Sequence, residues 1–335
     1  MTSISSTANL ISSPVSSPES SSESSSESSS ESSSVEPGSQ PHFVCIGGGH
    51  GLGRLLVSLR DVEQYLTGIV ATTDEGGSTG RLREEAETIA WGDLRNCLSQ
   101  LCSLDGIGQR LFEYRFQTQG DLDGHNLGNL VLFALDQLSV RPTDAIRVMR
   151  DMLNIKSHLY PMADRPTTLM AKTLALPGQE PNILVGELSI DDSDEDIDYM
   201  YLEPKVNAEP EVIAMIKQAD AIILSAGSFM TSIMPSLLVD NILTAINEST
   251  APLILIVNIK EEELGGGLKL TFEKQLALLE KAGVRKLDHI LWPENRELLV
   301  GHFNQYPIKQ VDMKPCERGL HNEAVLKAAI FDLLA

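Results

Sequence analysis

From about Phe43 onward, short uninterrupted apolar runs alternate with stretches whose apolar residues recur at helical spacing. The apolar runs predict buried strands at 43–47, 66–73, 221–225, 253–258 and 288–292. The helical spacing predicts helices at 55–59, 93–103, 109–117, 126–138, 142–153, 210–219, 271–282 and 322–334. Strands that are apolar on both faces and alternate with helices are typical of a parallel sheet. The pattern therefore predicts an α/β fold, with a mostly parallel sheet covered by helices on both faces.

Two segments depart from this alternation. Residues 155–190 are irregular and broken by prolines, and they predict an inserted β-rich segment. The run DDSDEDID at 191–198 predicts a solvated acidic loop. No linker interrupts the chain after the first 42 residues, so we expect a single α/β domain over 43–335.

The first 42 residues have a different composition. Serine and glutamate dominate, and the four-residue unit around Glu19, Glu23 and Glu27 repeats. Such a segment has almost nothing to bury, so we predict a disordered tail. A solubilising tail is one interpretation. A phosphorylated tail is the other, since Ser20 and Ser24 each have glutamate three residues on.

The net charge of −21 at pH 7 restricts the partners. A chain of this sign repels phosphate backbones and anionic lipids, so we expect neither nucleic acid nor a membrane surface as partner. The N-terminus lacks the basic and apolar regions of a secretory signal, and the four cysteines have no metal-type spacing. We therefore expect a cytoplasmic protein with a small-molecule ligand, and a homo-oligomer is left open.

The loop after the first strand reads IGGGHGLGRLL. A strand that runs into glycines and then a helix presents backbone amides to a phosphate, and the helix N-terminus adds partial positive charge. The spacing matches neither the dinucleotide fingerprint nor a P-loop. A tight turn is the alternative, but we favour phosphate or sugar binding by Gly47, Gly48, Gly49, His50 and Gly51.

Carboxylates and hydroxyls mark the next two loops. In TTDEGGSTGRLRE they suit sugar hydroxyls or hydrated Mg²⁺, with Asp74 as the candidate metal ligand and Gly76, Gly77 and Ser78 beside it. A glycine-rich loop with exposed charges is the alternative. In WGDLRNCLSQL, Asp93 either caps the following helix or faces a ligand together with Arg95 and Asn96.

Three later segments add polar groups at element boundaries. GHNLGNLVLFAL places His125, Asn126 and Asn129 at a helix start, either as structural residues or as ligand contacts. ILSAGSFMTSIMP predicts a second anion site, formed by Gly227, Ser228, Thr231 and Ser232. Asn258, at the end of a predicted strand, is a candidate base or ribose contact.

These motifs together resemble those of the gluconeogenesis factor family, within a wider group that includes 2-phospho-L-lactate transferase. The resemblance runs from about Phe43 to the C-terminus and implies a Rossmann-like fold with a nucleotide-type ligand. It implies that the first glycine loop holds phosphate and that Asp74 meets a metal or a ligand hydroxyl. It also implies a cleft lined by Asp93, Arg95, Asn96, His125, Asn126 and Asn129, with Ser228, Thr231 and Ser232 as a second anion site.

Two functions follow from the resemblance. The gluconeogenesis-factor relatives are cytoplasmic regulators linked to UDP-sugars and to cell shape during growth on gluconeogenic carbon, without established catalysis. The transferase relatives join a phosphate-bearing lactyl group to a deazaflavin, release a guanine nucleotide and use Mg²⁺. We expect the first function and assign no catalytic residue, with the Mg²⁺-dependent transferase as the alternative. Nicotinamide-dependent redox chemistry has the least support of the three functions, because the glycine spacing does not match the dinucleotide-binding fingerprint.

Overall fold

The structure is a computed structural model, and it describes residues 40–102, 107–175, 178, 180–297, 305–313 and 321–334. The predicted Ser/Glu tail, residues 1–42, lies outside the described residues except for its last three positions. The remainder, Gln40–Ala335, is one compact unit.

A seven-stranded parallel sheet forms the centre of this unit, as the apolar runs predict. The sheet order is β12-β11-β8-β7-β1-β2-β3, and every neighbouring pair is parallel. Its strands are β1 (Phe43–Gly47), β2 (Leu66–Val70), β3 (His158–Pro161), β7 (Ala221–Leu224), β8 (Leu253–Ile256), β11 (His289–Pro293) and β12 (Ile308–Val311). The smaller sheets contain β4 (Thr168–Thr173), β5 (Ile183–Val185), β6 (Ile197–Glu203), β9 (Glu262–Glu263) and β10 (Lys269–Leu270).

Helices cover both faces of the central sheet. On the first face lie α1 (Gly49–Ser58), α3 (Gly92–Leu101), α4 (Ile107–Glu113), α5 (Leu127–Leu138), α6 (Pro142–Met152) and α12 (Glu323–Phe331). On the second face lie α8 (Pro210–Lys217), α9 (Met234–Leu237), α10 (Asp240–Glu248) and α11 (Phe272–Lys281). The site also includes α2 (Gly77–Glu85), α7 (Glu187–Asp191) and a π-helix, Phe229–Ile233. The 3-10 helices are Arg60–Tyr65 and Gly265–Gly267.

The alternation of side chains along each strand creates two separate apolar cores. Phe43 and Cys45 of β1 point to the core beneath α1 and α3, whereas Val44 and Ile46 point to the core beneath α8 and α10. All four side chains are fully buried, which is why the strand reads as an unbroken apolar run. The α/β class predicted from the sequence is therefore confirmed.

The inserted segment differs in extent from the prediction over 155–190. Its first strand, β3, joins the central sheet beside β2, and β5, β4 and β6 form a separate antiparallel sheet that continues to Glu203. The acidic run 191–198 is only partly a solvated loop. Asp191 ends α7 in a partly buried position, while Asp196 and Asp198 pair with Lys274 and Lys281 of α11.

Several other boundaries also differ from the predictions. The glycine-containing segment after Asp74 is not an open loop, because Gly77–Glu85 forms α2. The predicted strand 66–73 ends at Val70, and the helix predicted at 109–117 starts earlier, at Ile107. No single helix among the described residues is long and apolar enough to cross a membrane, although the pair Phe229–Leu237 and Asp240–Glu248, bent by 78°, meets the criteria jointly.

Candidate functional site

The candidate site lies where the strand order of the central sheet reverses. The chain adds β2 and β3 on one side of β1 and later adds β7 and β8 on the other. Ligands of open parallel sheets bind at such a point, in the crevice outside the carboxyl ends of the strands. The loops that follow β1 and β7 border this crevice.

A cleft of about 430 Å³ lies beside these two loops. Its walls are the first turn of α1, the loops after β7 and β8, and residues at the start of α12. The polar groups that line it include His50, Gly51, Ser228, Asn258, Lys260 and Glu262. A cleft of this size is in the range that accommodates small molecules and cofactors.

The first glycine loop packs closely against other parts of the protein. A Cβ on Gly48 would overlap the carboxylate of Asp93 and the hydroxyl of Ser232, and one on Gly51 would overlap the carbonyl of Ala226. The backbone N–H of Gly49 donates to Asp93. Several of the glycines that we interpreted as part of a phosphate-binding loop are therefore required by close packing within the protein.

The first turn of α1 still faces the cleft. His50 is exposed, and both His50 and Gly51 line the cavity. N–H groups in the first turn of a helix have no acceptor within the helix, so they can donate to a bound anion. Arg54, one turn on, also lines the cleft, and its side chain donates to the carbonyl of His321. This end of the cleft is suited to a negatively charged group.

The loop after β7 directs its donors at a protein carboxylate. Ser228 Oγ donates to Glu262 Oε1 at 2.8 Å, and the N–H of Phe229 lies 3.2 and 3.0 Å from the two oxygens of Glu262. Ser228 also caps the π-helix by accepting from the N–H of Thr231. Of the residues that we assigned to a second anion site, Ser228 therefore contacts Glu262, whereas Thr231 donates to Ser228. Ser232 packs against Gly48 instead.

Asn258 holds the same loop in place. Its Oδ1 accepts from the N–H of Gly227 at 2.9 Å, and its Nδ2 donates to the carbonyl of Gly227 at 2.7 Å. Gly227 has a φ of 145°, a conformation that glycine adopts readily and other residues rarely do. Asn258 thus fixes the loop between β7 and the π-helix, and it lines the cleft at the same time.

Four carboxyl groups lie close enough for their charges to interact, those of Asp74, Asp93, Glu187 and Asp191. Burial, together with the charges of Asp74, Asp93 and Asp191, raises the pKa of Glu187 to about 8. Burial and the nearby Asp74 raise the pKa of Asp93 to about 6, against hydrogen bonds from Gly49 and Asn96. At neutral pH Glu187 is therefore mainly protonated, whereas Asp93 is mainly ionised.

A chain of hydrogen bonds joins these acids to the cleft. Glu187 is hydrogen-bonded to Thr231, and Thr231 Oγ1 donates to Ser228 Oγ at 2.8 Å. The contact with Thr231 lowers the pKa of Glu187 and so opposes the effect of burial. Ser228 in turn donates to Glu262. The chain thus links Glu187 to Glu262 through the hydroxyl groups of Thr231 and Ser228.

Asp74 stands at the start of α2. Its Oδ1 accepts from the N–H of Gly76 at 2.7 Å, which fixes the turn before the helix. Oδ2 lies close to Gly92, where a Cβ would come within 2.8 Å of it. In the part of the chain that the structure describes, no group of three or more His, Cys, Asp or Glu side chains could hold a metal ion. Any Mg²⁺ at Asp74 would therefore need oxygen ligands from water or a phosphate.

The polar residues at the start of α5 form a buried network. Ser78 Oγ accepts from the N–H of Asn126 at 3.2 Å and lies 3.1 Å from Nδ1 of His125. Asn126 caps α5 by accepting from the N–H of Asn129, whose Nδ2 lies 3.4 Å from Thr79 Oγ1. Burial and the nearby Arg81 and Arg115 lower the pKa of His125, which favours the neutral form of its ring.

This network connects α2 and α5, and Arg95 extends it to α3. Arg95 Nε lies 3.4 Å from Asn129 Oδ1, and its side chain passes over Gly128. The residues of the second, third and fourth motifs thus position one another, as the structural interpretation of His125 and Asn126 expects.

Two acids of the site escaped the sequence analysis. Glu187 follows Gly186 in the insert, where φ is 82° and a Cβ would overlap the carboxylate of Glu75. Glu262 is the middle residue of three consecutive glutamates in VNIKEEELGGG. The sequence offers Gly186 as a signal for a close approach, but nothing in it distinguishes Glu262 from its neighbours.

Comparison with known proteins places the chain in a family. The family model described as 2-phospho-L-lactate transferase CofD matches residues 43–320. A protein of Yersinia pestis is 44% identical over 74% of this chain and 80% of its own length. One of Pasteurella multocida is 40% identical over 87% and 93%. Both carry the name "Putative gluconeogenesis factor".

A solved structure shares the fold. The crystal structure of a UPF0052 family protein from Bacillus halodurans has a TM-score of 0.77 to this chain at 28% identity. The match covers 88% of this chain and 99% of that one. On these matches, the chain belongs to the 2-phospho-L-lactate transferase CofD family, and its relatives include the gluconeogenesis factors.

Proposed function

We propose that the protein binds a nucleotide sugar of the UDP-sugar type in the cleft and acts as a cytoplasmic regulator of gluconeogenic growth and cell shape. The observation that carries the binding proposal is the cleft between the first turn of α1 and the loops after β7 and β8. One end offers helix amides and the other offers carboxylate and amide groups. A nucleotide sugar carries both an anionic diphosphate and many hydroxyls. The regulatory role is supported by the names of the relatives.

Thermal shift with UDP-N-acetylglucosamine and UDP-glucose tests the binding. A ligand that binds only the folded state stabilises it by about RT ln(1 + [L]/Kd), so millimolar ligand should raise the melting temperature measurably. Lys260→Met should weaken this shift, because Lys260 is an exposed cation that lines the cleft and would attract an anionic diphosphate. Lys217→Met is the matched control, since Lys217 is exposed on α8 outside the cleft. No shift at millimolar ligand with the wild-type protein would contradict the proposal.

A Mg²⁺-dependent transferase of the 2-phospho-L-lactate type is the second candidate. The description of the family supports it, as does the carboxylate of Asp93 beside Gly48 and Gly49, with Asp74 near enough to raise the pKa of Asp93. Carboxylate oxygens are the ligands that Mg²⁺ takes together with water and phosphate, so Asp74 would hold the ion. A bound Mg²⁺ would neutralise phosphate charge during transfer. Product formation from a deazaflavin and a lactyl guanine nucleotide tests this, with Asp74→Asn as the inactive control.

A further inference from the structure

Glu262 is fixed in the cleft by contacts from several directions. Its carboxylate accepts from Ser228 and from the N–H of Phe229. It lies on β9, which pairs with β10. At the turn between these strands, a Cβ on Gly265 would overlap the carbonyl of Asp192, so the hairpin packs directly on the insert. The position of Glu262 is therefore set by the fold.

This carboxylate fills the place that an anion would otherwise take. The N–H of Phe229 and the hydroxyl of Ser228 are the donors at the start of the π-helix, and both donate to Glu262. A phosphate at the same place would lose these donors and face a negative charge, and like charges in close contact are strongly unfavourable. The cleft thus has an anion-accepting end at α1 and an anion-rejecting end at Glu262.

The carboxylate of Glu262 can also accept a further hydrogen bond. An ionised carboxylate offers about four lone-pair positions. Oε1 takes contacts from Ser228 and Phe229, and Oε2 takes one from Phe229. Since Glu262 lines the cleft, a ligand hydroxyl or ring N–H can donate to it there.

We propose that Glu262 selects the ligand and its orientation. A bound molecule places its phosphate at the first turn of α1 and directs hydroxyl or N–H donors to Glu262. A molecule with anionic groups at both ends is rejected. This inference rests on the proposed nucleotide binding and adds the residue that sets its specificity. Thr231 acts through Ser228 as a positioning residue, since its hydroxyl donates to Ser228 Oγ and leaves the Ser228 hydroxyl to donate to Glu262.

Isothermal titration calorimetry with two probes tests the assignment. UDP carries phosphate and hydroxyl donors, whereas inorganic pyrophosphate carries phosphate alone. The wild-type protein should bind UDP more tightly. In Glu262→Gln the preference for UDP over pyrophosphate should fall about tenfold, because removing the charge admits pyrophosphate and weakens the contact with ligand donors. Glu263→Gln is the matched control, since Glu263 is exposed on the same strand, and its preference should equal that of the wild type.

A second variant covers the case in which Glu262→Gln does not fold. Glu262→Asp keeps the charge but shortens the side chain, so it should bind UDP more weakly and still reject pyrophosphate. Equal changes in both affinities, or an unchanged preference in Glu262→Gln, would overturn the assignment while leaving nucleotide binding intact. Failure of the wild-type protein to bind either probe would refute the proposed function and this assignment with it.

Discussion

The raised pKa of Glu187 makes a quantitative prediction about stability and pH. In the unfolded chain a glutamate has a pKa near its ordinary value of 4.5, whereas in the fold burial and the charges of Asp74, Asp93 and Asp191 raise that pKa to about 8. Between these two values the folded protein holds a proton that the unfolded chain does not. Stability must therefore fall as the pH rises through this window and level off above about pH 8.

The size of the effect follows from the shift. Each pKa unit corresponds to about 1.4 kcal/mol, so the full shift would be about 5 kcal/mol. Glu187 is partly exposed, and solvent screens its interactions, so we expect about 2–3 kcal/mol. Glu187→Gln removes the titration and keeps a side-chain amide that can form a hydrogen bond with Thr231. Its free energy of unfolding should thus equal that of the wild type at about pH 4, below the ordinary glutamate pKa of 4.5, and exceed it by about 2–3 kcal/mol near pH 8.5.

Urea denaturation of both proteins across this range measures the difference directly. Other titrating groups, including Asp93 and Asp191 with pKa values of about 6, are common to both proteins and largely cancel. A difference that does not change with pH would refute the reasoning, because it would mean that Glu187 is ionised in the fold at every pH tested.

Three further predictions concern packing, capping and thiol reactivity. Gly48→Ala should lower the free energy of unfolding by about 1–3 kcal/mol in urea denaturation, because the added Cβ would overlap Asp93 and Ser232. Gly120→Ala is the control: no atom lies within 4 Å of a Cβ there, so the free energy of unfolding should change by less than about 0.5 kcal/mol. Asn126→Ala should cost about 1–2 kcal/mol by removing the cap of α5, and Asn126→Ser should recover part of this. In the native state Cys102 should be alkylated before Cys45, because Cys45 is buried and burial raises the pKa of its thiol. Mass spectrometry of the labelled peptides measures the order, and faster labelling of Cys45 would contradict the prediction.

The sequence predicts the central sheet well, for a physical reason. Strands such as β1 and β7 are buried on both faces, so every position must be apolar and the run is unmistakable. The edge strand β12 was missed because its burial is only partial and its sequence, IKQV, shows no such run. The helix α2 was missed because two of its first four residues are glycines, which disfavour helices, yet contacts with α5 and the turn at Asp74 hold it in place.

The site shows a different limit. Motifs at strand ends predict which loops meet, because the carboxyl ends of parallel strands lie at one edge of the sheet. They do not predict which protein groups satisfy the donors of those loops. Glu262 is 34 residues from Ser228 in the chain and reaches it only through the hairpin of β9 and β10, and Glu187 comes from the insert. Read locally, a glycine, a serine and a helix start look like a vacant anion site. In the folded protein these donors form hydrogen bonds with the carboxylate of Glu262. The local sequence pattern therefore identifies an anion-binding geometry, but it does not tell whether the anion is a ligand or a side chain of the protein.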